Sequence, residues 1–105
     1  MYKLTKHEEL VLTSIWKLTG NAYIVTIRRY FADITGKTIN SGSLCNTLTS
    51  LVRKGLIESR ESQPTAQQGG RRKVLYALTR EGRKALNQAY TIQKRAWKGF
   101  TEFNV

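Results

Sequence analysis

The sequence contains one cysteine and one proline, only one histidine, and few acids, and each scarcity removes a class of function. With Cys45 alone, no intramolecular disulfide can form, which suits a reducing, cytoplasmic setting. His7 is the sole histidine, and no cysteine or carboxylate cluster has ligand spacing, so no metal site can be argued. The 7 acidic residues, with Asp33 the only aspartate, are scattered. No glycine-rich phosphate loop accompanies them, so a catalytic reading has no residues to stand on and no cofactor is expected. The first apolar stretch, Leu10 to Trp16, is broken by Thr13 and Ser14 and preceded by Glu8 and Glu9. It reads neither as a signal peptide nor as the roughly 20 apolar residues that span a bilayer.

Positive charge, by contrast, is plentiful: 18 Lys and Arg give a formal net charge of +11 over 105 residues. A chain this long with 40% apolar residues builds one domain around one core. The cationic excess points to a polyanionic partner, either nucleic acid or an anionic membrane face.

Thr5-Lys6-His7-Glu8 has the form of a capping box. The helix it opens carries Leu10, Val11, Leu12, Ile15, Trp16 and Leu18, with Trp16 expected in the core, and ends at Gly20-Asn21. A second helix fits about residues 24–34, with Val25, Ile27, Phe31 and Ile34 as apolar contacts and Arg28 and Arg29 facing out. A third helix fits about 41–54. Leu44, Leu48, Leu51 and Val52 make its apolar stripe. Its other side holds Ser41, Ser43, Asn46, Thr47 and Ser50, short and uncharged until Arg53 and Lys54. A solvated helix face normally carries long, charged side chains, whereas this one could lie close to base edges and hydrogen-bond to them.

Residues 56–62 and 72–78 read as two strands around a polar loop, and the second begins at the basic run Arg71, Arg72 and Lys73. Thr79 is a plausible N-cap for a last helix running to about Phe100. Leu86, Ala89, Tyr90, Ile92, Ala96, Trp97 and Phe100 give that helix an apolar side longer than so small a domain can bury. The fold class is therefore mainly α with a small β-hairpin. It is a winged helix-turn-helix over residues 1–79, with a long C-terminal helix, 80–105, in the same structural unit. In this arrangement the third helix enters a major groove of double-stranded DNA and the hairpin reaches phosphates.

Two motifs carry a resemblance to a known family. Ser41-Gly42-Ser43-Leu44, followed by Leu48, Leu51 and Gly55-Leu56-Ile57, looks like the recognition-helix segment of the PadR family of bacterial transcriptional regulators. The run from Arg71 to Gly82 is similar to that family's wing strand leading into Leu-Thr-x-x-Gly. The chain departs from the family at Cys45, where a Tyr is usual, and at Ile24, where Gly often follows Tyr. The resemblance implies a homodimer joined mainly through the C-terminal helix. It also implies an outcome that is usually repression, sometimes relieved by a small aromatic ligand. A dimer follows independently from the short reach of one winged helix along DNA. Leu86, Ala89, Tyr90, Trp97 and Phe100 are the candidate joint, and Tyr90 and Trp97 the candidate ligand contacts.

Blander readings stand beside these. The third helix could be an ordinary solvated face, and Arg71 to Lys73 a charged strand edge that blocks aggregation. Tyr90 and Trp97 could be dimer core with no ligand, and Cys45 a small residue filling a packing position rather than a redox sensor. The basic, aromatic segment 93–100 could instead make the last helix a membrane-surface or protein-docking element. RNA binding ranks lower, for want of an exposed aromatic platform.

Overall fold

The computed structural model describes residues 2–62 and 73–105. Arg71 and Arg72 lie outside the described residues. In chain order come α1 (Lys6–Lys17), α2 (Ile24–Thr35), α3 (Ser41–Arg53), β1 (Ile57–Glu61), β2 (Val74–Leu78) and α4 (Arg80–Trp97). The architecture is a winged helix-turn-helix, mainly α with one antiparallel hairpin.

Each boundary has a local cause. Both halves of the expected capping box at α1 are present: the Glu8 amide donates to Thr5 Oγ1 at 3.1 Å and the Thr5 amide to Glu8 Oε1 at 2.9 Å. α2 ends at Gly36, whose φ of +72° is the left-handed conformation open to glycine. Asn40 caps α3 by accepting from the Ser43 amide at 2.7 Å. Thr79 caps α4 as expected, accepting from the Gly82 amide at 3.1 Å. α4 stops at Trp97, short of Phe100, and Gly99 turns the chain with φ of +78°.

The hairpin pairs Ile57 with Leu78 at its base and Glu61 with Val74 toward its tip. β1 starts one residue later than the sequence suggests because Leu56 is spoken for: its amide donates to Leu51 O, and its carbonyl accepts from Thr79. The Tyr76 amide donates to Ala22 O at 2.8 Å, so the connection between α1 and α2 supports the outer edge of β2. The core gathers Val11, Leu12 and Ile15 from α1, Ile27 and Phe31 from α2, and Leu44, Leu48 and Leu51 from α3. Leu56, Ile57 and Ala85 close it.

Five residues sit differently from the sequence reading. Trp16, expected in the core, is 55% exposed. It lies one residue round the helix from buried Ile15, and α1 buries a narrower face than its composition suggests. Val25, Ile34 and Val52 are exposed for related reasons. Val25 turns away from the Ile27–Phe31 line, Ile34 falls in the last turn of α2, and Val52 is one step past Leu51. Cys45 follows buried Leu44 and is exposed rather than packed.

The first turn of α1 is tied to the end of α3 by Lys54 Nζ, which meets Glu8 Oε2 at 2.6 Å. Burial alone would raise the Glu8 carboxyl, but Lys54 and the Thr5 amide together hold it below its ordinary value. A carboxylate whose pKa is lowered by folding stabilises the native state above its unfolded pKa, and that contribution disappears as pH falls through the folded value. Lys54→Met is therefore expected to cost about 1 kcal/mol at neutral pH. Urea unfolding at a series of pH values should show the difference from the parent chain vanishing at the acid end. A gap that persists below the carboxylate range would exclude the ion pair as its source.

Candidate nucleic-acid interface

α3 presents the uncharged face anticipated from its sequence. Ser41, Ser43 and Asn46 are exposed, and Thr47 and Ser50 are half-buried at its margins. Ser43, Asn46 and Ser50 fall at i, i+3 and i+7, one line along the helix. Thr47 is more constrained than the sequence suggests. Its hydroxyl donates to Ser43 O at 3.1 Å, and it meets His7 Nε2 at 2.9 Å.

Cations border this face. Arg53 is exposed in the last turn of α3, while Lys54 is engaged with Glu8. Arg28 Nε donates to Ile39 O at 2.8 Å, fixing the segment that leads into α3. That role was invisible in the sequence, where Arg28 read only as outward-facing. Of the three expected wing cations, Lys73 alone is described. Its ammonium lies 4.2 Å from the centre of the Tyr23 ring, a cation–π contact between the hairpin and the start of α2.

The C-terminal candidates divide into three places. Leu86 and Tyr90 line a groove of 820 Å³ between α1 and α4, together with Trp16 and Thr13, and Arg80, Arg83 and Lys84 stand at its edge. Ala89 lies on the other side of α4, in a groove with Tyr2, Leu4 and Ile92. Trp97 and Phe100 lie at the helix end, packed edge to face with ring centres 4.8 Å apart, and Phe103 meets Phe100 the same way at 5.9 Å. Tyr90, Trp97 and Phe100 are 64%, 58% and 48% exposed, so about half or more of each side chain stays uncovered within one protomer. Among the described residues, Trp97 is not part of the groove that Tyr90 lines.

Two further contacts fix α4. The Thr79 hydroxyl donates to Gly55 O at 2.6 Å while accepting from Gly82. At Gly82 the first turn of α4 crosses so close to the α3–β1 connection that an added Cβ would sit 2.0 Å from Leu56 O. The Leu-Thr-x-x-Gly motif is thus the place where α4 touches the end of α3. On the far side, the Tyr2 amide donates to Gln88 Oε1 at 3.0 Å, Gln93 donates to Glu9, and the Tyr2 hydroxyl donates to Glu81.

Among the described residues there is no group of three or more potential metal ligands, and no helix long and apolar enough to cross a membrane.

Residues 11–88 match the model of the transcriptional regulator PadR-like family. No curated protein sequence matches the chain. Among solved structures, RosR of H. salinarum in the complex structure hsRosR-S1 is 28% identical. The match covers 92% of this chain and 79% of that one, with a TM-score of 0.74. A PadR family transcription regulator from Clostridium difficile is also 28% identical, over 87% and 85% of the two chains, with a TM-score of 0.61. Bordetella bronchiseptica BpsR, whose DNA binding is regulated by 6-hydroxynicotinic acid, shares the fold at 23% identity. That match covers 94% of this chain and 69% of that one, with a TM-score of 0.64. With a family model spanning most of its length and the winged-helix architecture that goes with it, the chain belongs to the PadR-like family of transcriptional regulators.

Proposed function

We propose that this protein is a sequence-specific, double-stranded-DNA-binding regulator and not an enzyme. It acts as a homodimer on a near-palindromic operator in the cytoplasm, with repression as the outcome. The observation that carries this reading is the exposed, uncharged line of Ser43 and Asn46 on α3, on a chain of net charge +11. Short hydrogen-bonding side chains let a helix approach base edges, and surrounding cations meet the phosphates. In this reading Ser41, Ser43, Asn46, Thr47 and Ser50 face the major groove, and Arg71, Arg72 and Lys73 serve the backbone. Leu86, Ala89, Tyr90, Trp97 and Phe100 form the joint between protomers.

The effector is a small aromatic compound. The groove beside Tyr90 has the chemistry for one, with Trp16 as a second aromatic wall and Arg80 and Arg83 at its rim. Trp97 would join it from the partner. The same fold in BpsR responds to 6-hydroxynicotinic acid, which is consistent with this assignment.

Selection from a pool of random duplex DNA at about physiological salt tests the reading. The parent chain is expected to enrich a near-palindrome. Asn46→Ala should lose base preference at one position in each half-site, whereas Arg72→Ala should weaken binding uniformly. A pool that stays random, with weak salt-sensitive binding throughout, would show a basic protein that does not read sequence. One observation favours a second reading: the exposed Trp97–Phe100–Phe103 cluster adjoins Lys94, Arg95 and Lys98, as in helices that lie on anionic membranes or dock onto proteins.

A further inference from the structure

We infer that His7, outside α3 altogether, is a positioning residue for DNA reading, setting the roll of α3 through its hydrogen bond to Thr47. The inference rests on the DNA-reading role proposed for α3.

The apolar contacts of Leu44, Leu48 and Leu51 hold α3 against the core, but such contacts are non-directional and tolerate small rotations about the helix axis. Directional bonds must set the angle at which Ser43 and Asn46 are presented. At the N-terminal end, Asn40 caps the helix and Arg28 holds the preceding carbonyl of Ile39. At the C-terminal end, Lys54 is bound to Glu8. Mid-helix, the side-chain bond from another element among the described residues is that of His7 to Thr47.

The inference assigns a direction to that bond. Thr47 has one hydroxyl proton and lies 3.1 Å from Ser43 O. With that proton given to Ser43 O, Thr47 Oγ1 accepts and His7 Nε2 is the donor. The ring itself is held in place: it is half-buried, and Phe31 of α2 meets it edge-on, centres 5.4 Å apart at 64°. Its backbone sits in the capped first turn of α1, between Thr5 and Glu8. His7 and Glu8, consecutive in sequence, thus grip α3 at Thr47 and Lys54. Those points are seven residues apart, or about 10 Å along the axis. Two anchors two turns apart on one helix fix its rotation as well as its position. Thr47 is one residue from Asn46 and one turn from Ser43, so the restraint acts where the proposed base contacts are.

The test compares His7→Phe, which keeps a ring for Phe31 but loses the donor, with His7→Gln, whose amide can still donate, and with Thr47→Val. For each, affinity for the selected site and for a scrambled duplex is measured at one salt concentration, with thermal unfolding alongside. His7→Phe and Thr47→Val are each expected to lower the specific-to-scrambled ratio about tenfold, with scrambled binding within twofold of the parent. His7→Gln should restore most of the ratio. His7→Phe should cost nothing further in the Thr47→Val background, because the bond is already gone there. Equal loss on both duplexes would mean a merely structural role and overturn the inference, as would additive effects. A parent chain that selects no site would remove the reading beneath it as well. A second measurement needs no DNA. The single histidine gives one pair of ring-nitrogen signals in long-range ¹H–¹⁵N spectra, and for the neutral ring these should show the proton on Nε2. A proton on Nδ1 would overturn the assignment outright.

Discussion

Gly82→Ala should lower the melting temperature by about 15 °C, corresponding to roughly 3 kcal/mol for a domain of this size. The added methyl would lie 2.0 Å from the Leu56 carbonyl oxygen and 3.0 Å from its carbon. Both are backbone atoms, and that oxygen already accepts from the Thr79 amide, so neither can step aside cheaply. Relief requires α4 to lift away from the connection after α3, which would uncover Ala85, now 1% exposed, and strain both bonds of the Thr79 hydroxyl. Intrinsic helix propensity works the other way and favours alanine by about 1 kcal/mol. Gly42→Ala is the matched control. Its Cβ would meet only the Asn40 side chain at 3.4 Å, and the melting temperature is expected to hold or rise. Calorimetry at one fixed protomer concentration decides the matter, and an unaffected Gly82→Ala protein would show that α4 does not pass so close.

A Tyr90→Glu, Trp97→Glu double variant is expected to be monomeric and to bind the operator at least about a hundredfold more weakly, since a second half-site is then no longer held at high effective concentration. The two residues lie seven apart on α4, two turns along one side, and both are more than half exposed in a single protomer. Carboxylates at a twofold joint face their own copies and repel, while leaving α3 and the core untouched. Sedimentation velocity and operator titration read the two effects separately, with far-UV circular dichroism to confirm that the helices persist. A variant that still dimerises would place the joint elsewhere. A parent chain that is already monomeric, and whose binding to anionic vesicles the substitutions abolish, would favour the membrane-surface reading of α4.

Local chemistry was the legible part of this molecule. The capping box at Thr5–Glu8, the Thr79 cap and the Leu44–Leu48–Leu51 stripe are written in spacings of three and four residues. The apolar side of α1 was read too wide because composition does not say which neighbour covers which residue. Trp16 faces the groove beside α4, and only the packing of the two helices reveals that. Cys45 was misread for the same reason, one residue round from Leu44. Two of the ties that fix α3 join residues 40 or more positions apart, His7 with Thr47 and Lys54 with Glu8, and no local period announces them. The close passage at Gly82 was half visible: the motif was present in the sequence, but the reason for its glycine lies in the carbonyl of Leu56.

The doubly used hydroxyl of Thr79 gives α4 a mechanical meaning. Bound to Gly55 at the foot of α3 and to Gly82 in its own first turn, it links the two helices, so a tilt of one strains its bond to the other. α4 then works as a lever arm of 18 residues, about 27 Å long. A rotation of about 10° between two such arms displaces their far ends by about 5 Å, more than the roughly 3.4 Å step between base pairs. In the proposed dimer, half-site spacing becomes a gauge of the angle between protomers. A small molecule that wedges that angle open would release the operator without touching a single base-reading side chain.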